Sequence, residues 1–345
     1  MRVMITGGTG FIGAHTAAAL LAAGHEPRLL VRNVGRVGAN LGALGVPTDG
    51  LDLVVGDMTD PDAVGRAVEG ADAVIHAAAM VTPLNRSNPE RTVDTNVTGT
   101  RTVVDAALAA GCARVVHVSS VAAVFDPRAA VITADLPPVT SAASPYTRSK
   151  ALADALVREH QQAGRPVTIV YPGGVMGPPA GEAVGEVAEG FVSMLKSGFV
   201  ALNDGGVGII DVRDVAAVLV ASLDAGPGPQ RFMAGGELVD LPGIGAILRE
   251  LTGRRMPVLP TPGAVFRGLG RLMDGLRRAV PFDTVFTAEA MELLTLARPT
   301  DDSAVRERLG VTYREPTEAV RATLLGLYAA GRLTDRQAGR LAGGA

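Results

Sequence analysis

The chain has 345 residues, enough to bury a large core in one domain or in two closely joined ones. Its formal net charge of -3 argues against a nucleic-acid-binding protein, which is normally basic, and no apolar run reaches the roughly 18 residues of a membrane-spanning helix. The single cysteine, Cys112, excludes an internal disulfide and a cysteine-based zinc site, and it predicts a reducing, cytoplasmic location.

The N-terminal sequence MRVMITGGTGFIG predicts a strand, a glycine turn and the beginning of a helix. Residues 3–5 are apolar and typical of a buried strand. Four glycines follow: Gly7, Gly8, Gly10 and Gly13. An alanine- and leucine-rich stretch of good helix formers comes next and ends near Gly24. Amide groups at such a helix N-terminus point at a phosphate, and the glycines let the backbone approach it, so the stretch predicts a phosphate site.

Apolar strands alternate with helices through the first half of the chain. The predicted strands cover residues 3–5, 27–33, 51–57, 71–79, 113–120 and 166–172. The predicted helices cover residues 14–25, 60–70, 89–111 and 145–163. In the second of these helices Asp60 is the expected N-cap and Pro61 the first helical residue. Six apolar strands separated by helices predict an α/β fold with a doubly wound parallel Rossmann sheet.

The second half of the chain has shorter elements. Residues 172–186 are rich in glycine and proline and predict a loop, and residues 256–282 predict a helix and loops over a pocket. Shorter strands and helices are expected at residues 208–211, 212–223, 231–236 and 241–253, and an amphipathic helix at 300–333. We therefore predict a Rossmann domain at residues 1–172, to which 208–236 return. Residues 173–345 would form mainly a smaller C-terminal α/β substrate-binding region over the carboxyl edge of the sheet.

Two motifs point to a known family. The glycine turn has the spacing T-G-x-x-G-x-x-G, and a Y-x-x-x-K motif follows at Tyr146 and Lys150. Together they resemble the short-chain dehydrogenase/reductase superfamily. Residues 144–154 (SPYTRSKALAD), 172–178 (PGGVMGP) and 211–216 (DVRDVA) resemble its extended branch, the NAD-dependent epimerase/dehydratase superfamily. That branch holds dihydroflavonol-4-reductase-like, 3β-hydroxysteroid-dehydrogenase-like and sugar-nucleotide-modifying members, so the resemblance is specific for fold and cofactor class and not for substrate.

The end of the second predicted strand bears on the choice of cofactor. Arg32 stands 19 residues after Gly13, where an acidic residue normally binds the ribose 2′-hydroxyl of NAD. An arginine there would pair with a 2′-phosphate, so we predict NADP(H) over NAD(H), with Asn33 and Arg36 assisting. A solvated Arg32 without a ligand is the alternative.

The resemblance implies the other cofactor contacts. Asp57 would reach the adenine amino group and Met58 would contribute its backbone, although a capping role for Asp57 stays open. The other residues expected to bind the cofactor are Thr6, Gly7, Gly10, Phe11, Ile12, Gly13, Ala77, Ala78, Tyr146, Lys150, Pro172, Gly173 and Val175.

The predicted catalytic group consists of Ser120, Tyr146 and Lys150, with Asn96 in a supporting role. Tyr146 and Lys150 are four residues apart on a predicted helix and therefore share a face. The Lys150 ammonium and an oxidised nicotinamide would both lower the pKa of Tyr146 from about 10, which suits it to acid-base catalysis. The resemblance implies that Lys150 binds the nicotinamide ribose and that Ser120 orients the reacting oxygen. Strand-end position favours Ser120, but the choice between it and Ser119 stays open.

Several other residues have an equally plain structural interpretation. His76 is expected to be a packed strand residue and not a catalyst. Met80, Val81, Met176 and Phe191 are candidates for lining the substrate pocket, and each could equally be core.

These residues predict an NADP(H)-dependent oxidoreductase that reduces a ketone or aldehyde, or oxidises the alcohol, with hydroxysteroid-like substrates included. One alternative is a sugar-nucleotide epimerase or dehydratase with bound NAD, although Val121 and Ala122 replace the acidic pair that follows the catalytic hydroxyl in dehydratases. The other is a non-catalytic dinucleotide sensor, which would not need the Ser, Tyr and Lys set. The expected partner is a small-molecule carbonyl or alcohol, with no nucleic acid, membrane or metal, and a homodimer and a monomer both stay open.

Overall fold

A computed structural model of the chain describes residues 1–80, 89–201, 204–279 and 287–343. Within these residues the strands are β1 Arg2–Thr6, β2 Glu26–Val31, β3 Asp52–Val55, β4 Ala73–His76, β5 Arg114–Val118, β6 Val167–Pro172, β7 Gly174–Met176, β8 Gly206–Asp211, β9 Gln230–Ala234 and β10 Glu237–Asp240. Seven of them form a parallel sheet in the order β3-β2-β1-β4-β5-β6-β9, and the other three form a second sheet in the order β10-β8-β7. The strand order reverses between β1 and β4, the place where ligands bind in such sheets.

Helices flank both sheets. In chain order the described part contains α1 Phe11–Ala22, α2 Gly35–Gly42, α3 Pro61–Val68, α4 Pro89–Ala109, α5 Pro145–Gln162, α6 Ala188–Ser197, α7 Val212–Ala221, α8 Leu241–Thr252, α9 Gly263–Ala279, α10 Ala288–Thr295, α11 Ser303–Leu309, α12 Pro316–Ala329 and α13 Asp335–Ala338. Their starts follow the sequence: Asp60 caps α3 by accepting from the amides of Asp62 and Ala63, with Pro61 in first position. Ser144 and Pro145 do the same for α5.

The larger sheet has helices on both faces. Along β1, Val3 and Ile5 point into the core on the side of α1 and α7, whereas Met4 points into the core on the side of α3 and α4. Every second residue of a strand faces the same side, so a strand with two buried faces needs a continuous apolar run. The predicted doubly wound Rossmann fold is therefore confirmed.

The second half of the chain divides its elements between the two sheets. Strand β9 pairs with β6 and completes the larger sheet, and α7 packs against α1. Strand β8 instead pairs with β7 and β10 in the smaller sheet. A third core, containing Met176 and Phe191, joins this sheet to α6, α8 and α12. The division into a cofactor-binding domain and a substrate-binding region stays a prediction.

Two details differ from the sequence prediction. The helix expected at residues 300–333 is broken into α11 and α12, because Gly310 takes a φ of +66° and Pro316 begins a new helix. The segment between them is tied to α7, where the Arg314 amide donates to Asp214 at 2.7 Å. The loop expected at 172–186 contains β7, which pairs with β8 through backbone hydrogen bonds. With three residues, one of them glycine, β7 is too short to show the apolar pattern by which a strand is recognised in sequence.

No helix in the described ranges is both long and apolar enough to cross a membrane.

Candidate active site

The glycine turn joins β1 to α1 at the carboxyl edge of the larger sheet. Gly7 has a φ of +74°, and the Gly10 amide donates to the Gly7 carbonyl oxygen at 2.8 Å. A Cβ at position 13 would lie 2.1 Å from that same oxygen, so only glycine fits there. Helix α1 begins directly afterwards at Phe11, with a side-chain-free N-cap, Gly10. The turn is thus a cradle bounded by backbone, with helix amides available to a phosphate group.

The end of β4 forms the other wall of this cradle. A Cβ at Gly7 would lie 2.8 Å from the Ala78 amide nitrogen, so Ala77 and Ala78 lie directly against the turn. The Thr6 hydroxyl accepts from the Ala78 amide at 3.2 Å and contacts His76 Nδ1 at 2.7 Å. His76 is buried, and burial together with Lys150 lowers its pKa to about 3. The structure places His76 as a neutral core residue, as expected.

The predicted adenosine end lies at the ends of β2 and β3. The Arg32 side chain is 73% exposed, and its Nη1 lies 3.8 Å from Asp57 Oδ2. Asp57 Oδ1 accepts from both the amide and the hydroxyl of Thr59, so the carboxylate also holds its own turn. Asn33 Oδ1 likewise accepts from the Gly35 amide at 2.9 Å, just before α2. Arg32 therefore has an exposed guanidinium, whereas Asp57 and Asn33 have local structural partners as well.

Four further predicted cofactor residues are held by close packing. Met58 is buried against α4, where a Cβ at Gly99 would lie 2.6 Å from its Cγ. Pro172 ends β6, and a Cβ at Gly173 would lie 2.1 Å from the Gly235 carbonyl oxygen. Val175 lies in β7 and packs against the core on the α1 side. Pro172, Gly173 and Val175 follow one another from the end of β6 into the smaller sheet, whereas Met58 lies after β3.

The predicted catalytic residues meet at the carboxyl end of β5. Helix α5 carries Tyr146 and Lys150 one turn apart. Lys150 Nζ donates to the Val118 carbonyl oxygen, the last residue of β5, at 3.0 Å. The Ser120 side chain, two residues further on, lies close enough to the Tyr146 hydroxyl to favour the ionised form of the tyrosine. The structure thus brings Ser120, Tyr146 and Lys150 into one cluster.

The two adjacent serines face different surroundings. Ser119 is buried, and its hydroxyl donates to Asp154 Oδ2 at 3.2 Å, where Arg158 also binds. Ser120 is half-buried, and its Oγ accepts from the Ala122 amide at 3.2 Å while it contacts Tyr146. Ser119 therefore belongs to a buried ion-pair network, and Ser120 belongs to the tyrosine cluster.

Asn96 connects the long helix α4 to the same cluster. Its Oδ1 accepts from the Met80 amide at 2.6 Å, and its Nδ2 donates to the Met80 carbonyl at 3.0 Å. The Nδ2 group also donates to Ser149 Oγ at 2.9 Å, and Ser149 donates to the Tyr146 carbonyl at 2.8 Å. All contacts in this network are made inside the fold, so Asn96 fixes the segment after β4 against the start of α5.

Two carboxylates that the sequence analysis missed lie close to Tyr146. Glu186 comes from the segment between β7 and α6, and Glu289 from α10. The Glu289 carboxylate accepts from the Thr147 hydroxyl, next to the tyrosine. Gly185 fixes the position of Glu186, because a Cβ there would lie 2.0 Å from the Val175 carbonyl oxygen and 3.1 Å from the Phe11 ring.

These carboxylates change the electrostatics of the cluster. Burial, with Glu186 and Glu289, raises the pKa of Tyr146, and only the hydrogen bond from Ser120 opposes this. The surroundings of Tyr146 thus shift its pKa upward, and the lowering expected from Lys150 and an oxidised nicotinamide stays a prediction. Burial lowers the pKa of Lys150 to about 8, while Glu186 raises it. Glu186 is exposed as a residue, but partial desolvation of its carboxylate where it faces the cluster raises its pKa, and Lys150 opposes this.

The candidates for lining a substrate pocket fall into three groups. Met176 and Phe191 are 0% and 1% exposed and belong to the third core, so they do not line an open pocket. Met80 is half-buried at the site, with its backbone held by Asn96. Val81 lies outside the described residues.

Comparison with known proteins agrees with this geometry. A family model described as the NAD dependent epimerase/dehydratase family matches residues 3–235. The chain belongs to this family. Its members include NAD(P)-dependent oxidoreductases and epimerases, so a nicotinamide dinucleotide is the cofactor for which the glycine cradle is built.

The similarity to individual proteins extends over nearly the whole chain. Sterol demethylase protein B of Methylococcus capsulatus is 32% identical over 320 residues, which cover 90% of this chain and 93% of that protein. A 4-hydroxy-2-methyl-3-oxo-4-farnesyl-3,4-dihydroquinoline-1-oxide ketoreductase of Stigmatella aurantiaca is 26% identical over 332 residues, covering 93% of this chain and 96% of that one. The crystal structure of gox2253 superposes with a TM-score of 0.78 at 25% identity, covering 96% and 99% of the two chains.

Proposed function

We propose that the chain is an NADP(H)-dependent oxidoreductase that reduces a ketone or aldehyde, or oxidises the corresponding alcohol, with Tyr146 as acid-base catalyst. The observation that carries the proposal is the cluster of Ser120, Tyr146 and Lys150 beside the glycine cradle. Relatives described as a ketoreductase and as a sterol demethylase protein support this class of reaction. A dinucleotide sensor would need the cradle but not the tyrosine cluster.

The residues present fit NADP. The cradle at Gly7, Gly10 and Gly13 would hold the pyrophosphate on the N-terminus of α1. The exposed Arg32 guanidinium would bind the ribose 2′-phosphate, with exposed Arg36 near it in sequence. When bound, the cofactor supplies or accepts the hydride at its nicotinamide ring.

The chain's own residues would handle the proton. The Ser120 and Tyr146 side chains lie close together, so both hydroxyls can be directed at one substrate oxygen. In reduction Tyr146 would donate its proton to that oxygen, and in oxidation it would accept one. Lys150, already held by the Val118 carbonyl, would bind the ribose hydroxyls and stabilise the tyrosinate.

The surroundings of the tyrosine favour a neutral substrate. Glu186 and Glu289 both act on Tyr146 electrostatically, so an anionic group close to the reacting carbon would be repelled. A neutral ketone or hydroxysteroid-like alcohol avoids this repulsion.

A comparison of cofactors tests the proposal. We expect NADPH to give a higher kcat/KM than NADH with a panel of ketones, aldehydes and hydroxysteroids. Arg32→Ala should lower kcat/KM for NADPH about 10- to 100-fold, the effect of losing a hydrogen bond to a charged group, and should leave NADH almost unchanged. A clear NADH preference of the wild type would overturn the cofactor assignment.

A parallel assay separates the two classes of enzyme. Incubation with UDP-sugars and NAD should give neither epimerised nor dehydrated products. Turnover of UDP-sugars together with no carbonyl reduction would overturn the oxidoreductase proposal.

A further inference from the structure

Helix α9 presents an apolar ridge to solvent. Val265, Leu272 and Leu276 are 57%, 57% and 47% exposed. Their spacings of seven and four residues place them on one face of the helix. Leu259, just before the helix, is 44% exposed.

This ridge is the main concentration of exposed apolar side chains in the described ranges. Eight large hydrophobic residues are exposed there, and four of them lie between residues 259 and 276. The others, such as Val55 and Val131, are scattered over the larger sheet and its loops. Single exposed apolar residues are normal on a protein surface, whereas a grouped set marks an interaction site.

The same segment carries a strong positive charge. Residues 254–278 contain six arginines and one acidic residue, a net charge of +5, whereas the whole chain has a net charge of -3. Arg254 and Arg267 bind groups inside the fold, the Leu195 carbonyl and the Thr295 hydroxyl. Arg255 and Arg271 are exposed. The ridge therefore lies in a basic segment of an acidic protein.

The inner face of α9 is fixed to the helix that contributes to the active site. A Cβ at Gly270 would lie 2.7 Å from the Thr287 carbonyl oxygen, and the Ala288 amide donates to Asp274 at 2.9 Å. Both contacts reach the beginning of α10, which carries Glu289 toward Thr147 and Tyr146. The ridge thus points outward from a helix anchored beside the site.

We propose that α9 is an interfacial helix that docks the protein on an anionic lipid bilayer. The ridge of Val265, Leu272 and Leu276 inserts at the level of the acyl chains, and exposed Arg255 and Arg271 bind the headgroups. A helix that lies in the membrane surface does not need the length of a spanning helix. The proposal therefore departs from the sequence prediction of no membrane partner, which rested on the lack of a long apolar run.

The charge favours a bilayer over a second copy of the chain. In a twofold dimer each basic segment would face its own copy, and like charges would repel. Four half-exposed side chains also offer much less area than the roughly 800 Å² per partner that a stable interface buries. An anionic bilayer offers acyl chains to the apolar ridge and negatively charged headgroups to the arginines.

Vesicle flotation with the full chain tests the proposal. We expect binding to phosphatidylcholine vesicles that contain phosphatidylglycerol, weak binding to phosphatidylcholine alone, and a decrease as salt rises. Leu272→Ser with Leu276→Ser should weaken binding at least about tenfold, because two apolar side chains no longer insert. Arg255→Gln with Arg271→Gln should weaken it in anionic vesicles only.

A matched control removes the same number of exposed apolar side chains elsewhere. Val55→Ser with Val131→Ser should bind vesicles as the wild type does. Thermal melting shows whether each variant is folded, and only folded variants are compared. Absence of wild-type binding at low salt, or equal loss in the control, would overturn the proposal. So would a sedimentation mass of a dimer that the leucine variant converts to a monomer, because the ridge would then cover a second copy.

Discussion

The candidate active site has two predicted sides that are built in different ways: the cofactor side, at the glycine turn and the end of β6, and the substrate side, around Glu186 and Glu289. On the cofactor side the limits are set by backbone atoms: a Cβ at Gly7, Gly13 or Gly173 would lie 2.8, 2.1 or 2.1 Å from a backbone atom of a neighbouring segment. On the substrate side the contacts are between side chains of separate elements, such as Glu289 of α10 and Thr147 of α5.

This difference bears on how each side would recognise its ligand. A site bounded by backbone accepts a ligand of fixed shape. Nearly every substitution of its glycines would place a side chain in steric clash with neighbouring backbone. In a site bounded by side chains, a single substitution, for example at Glu186, can change the charge of the site without moving the backbone. We therefore expect the cofactor side to set the class of chemistry and the substrate side to set which molecule undergoes it.

The largest effect is expected where the two sides meet. Tyr146→Phe removes the hydroxyl that would transfer the proton but keeps the ring. We expect kcat to fall by about 10² to 10⁴, the usual contribution of a general acid, while dinucleotide binding stays nearly intact. Steady-state kinetics and a fluorescence titration of the cofactor measure the two. Retained turnover would show that the tyrosine is not the acid.

A methyl group on the cofactor side should act through the backbone. Gly13→Ala places a Cβ 2.1 Å from the Gly7 oxygen, so the turn must move. We expect the free energy of unfolding to drop by about 1–3 kcal/mol and dinucleotide affinity to fall at least about tenfold. Urea unfolding and cofactor titration check both values.

Gly65→Ala is the matched control for that substitution. Gly65 lies inside α3, and a Cβ there has no neighbour within 4 Å. The extra methyl should stabilise the protein by up to about 1 kcal/mol, because alanine favours a helix, with cofactor affinity unchanged. Equal losses in both variants would mean that the space around Gly13 does not determine binding.

The smallest effect is expected on the substrate side. Glu186 raises the pKa values of both Tyr146 and Lys150, so Glu186→Gln should lower both. Reduction needs protonated Tyr146 and Lys150, so the decline of kcat/KM on the alkaline side should begin at lower pH, by roughly half a unit. The KM for an anionic ketone should also fall relative to that for a neutral one.

Glu182→Gln is the control for this charge change. Glu182 is an exposed glutamate four residues earlier in the same segment. Its removal changes the net charge equally, so the pH profile should match that of the wild type. Identical shifts in both variants would indicate a general charge effect and not the position of Glu186.

The sequence predicted the backbone-built part of the molecule well. Residues 3–5 showed the continuous apolar pattern of a strand buried on two faces, and Asp60 with Pro61 marked the start of α3. These features depend on neighbours in sequence, so local patterns reveal them. The six strands before residue 173 were all predicted for that reason.

The parts that the sequence did not predict depend on distant contacts. Glu186 and Glu289 are more than 100 residues apart, and neither lies in a motif that points to Tyr146. Met176 lies within the glycine-rich segment 172–186 and Phe191 soon after it, and an apolar residue at either position suits core and pocket equally. The break between α11 and α12 is an exception, because Gly310 and Pro316 were visible and indicated the end of one helix and the start of another.

Strand β9 has a consequence for how the chain becomes folded. All six residues of β6 are buried, and its outer edge is covered by β9, which begins only at Gln230. A nascent chain that has just completed β6 carries an open apolar edge, which is a template for pairing with other chains. A fragment that ends at residue 172 would keep that edge permanently and should aggregate. The larger sheet is thus protected from pairing with other chains only after synthesis has passed β9, at residue 234.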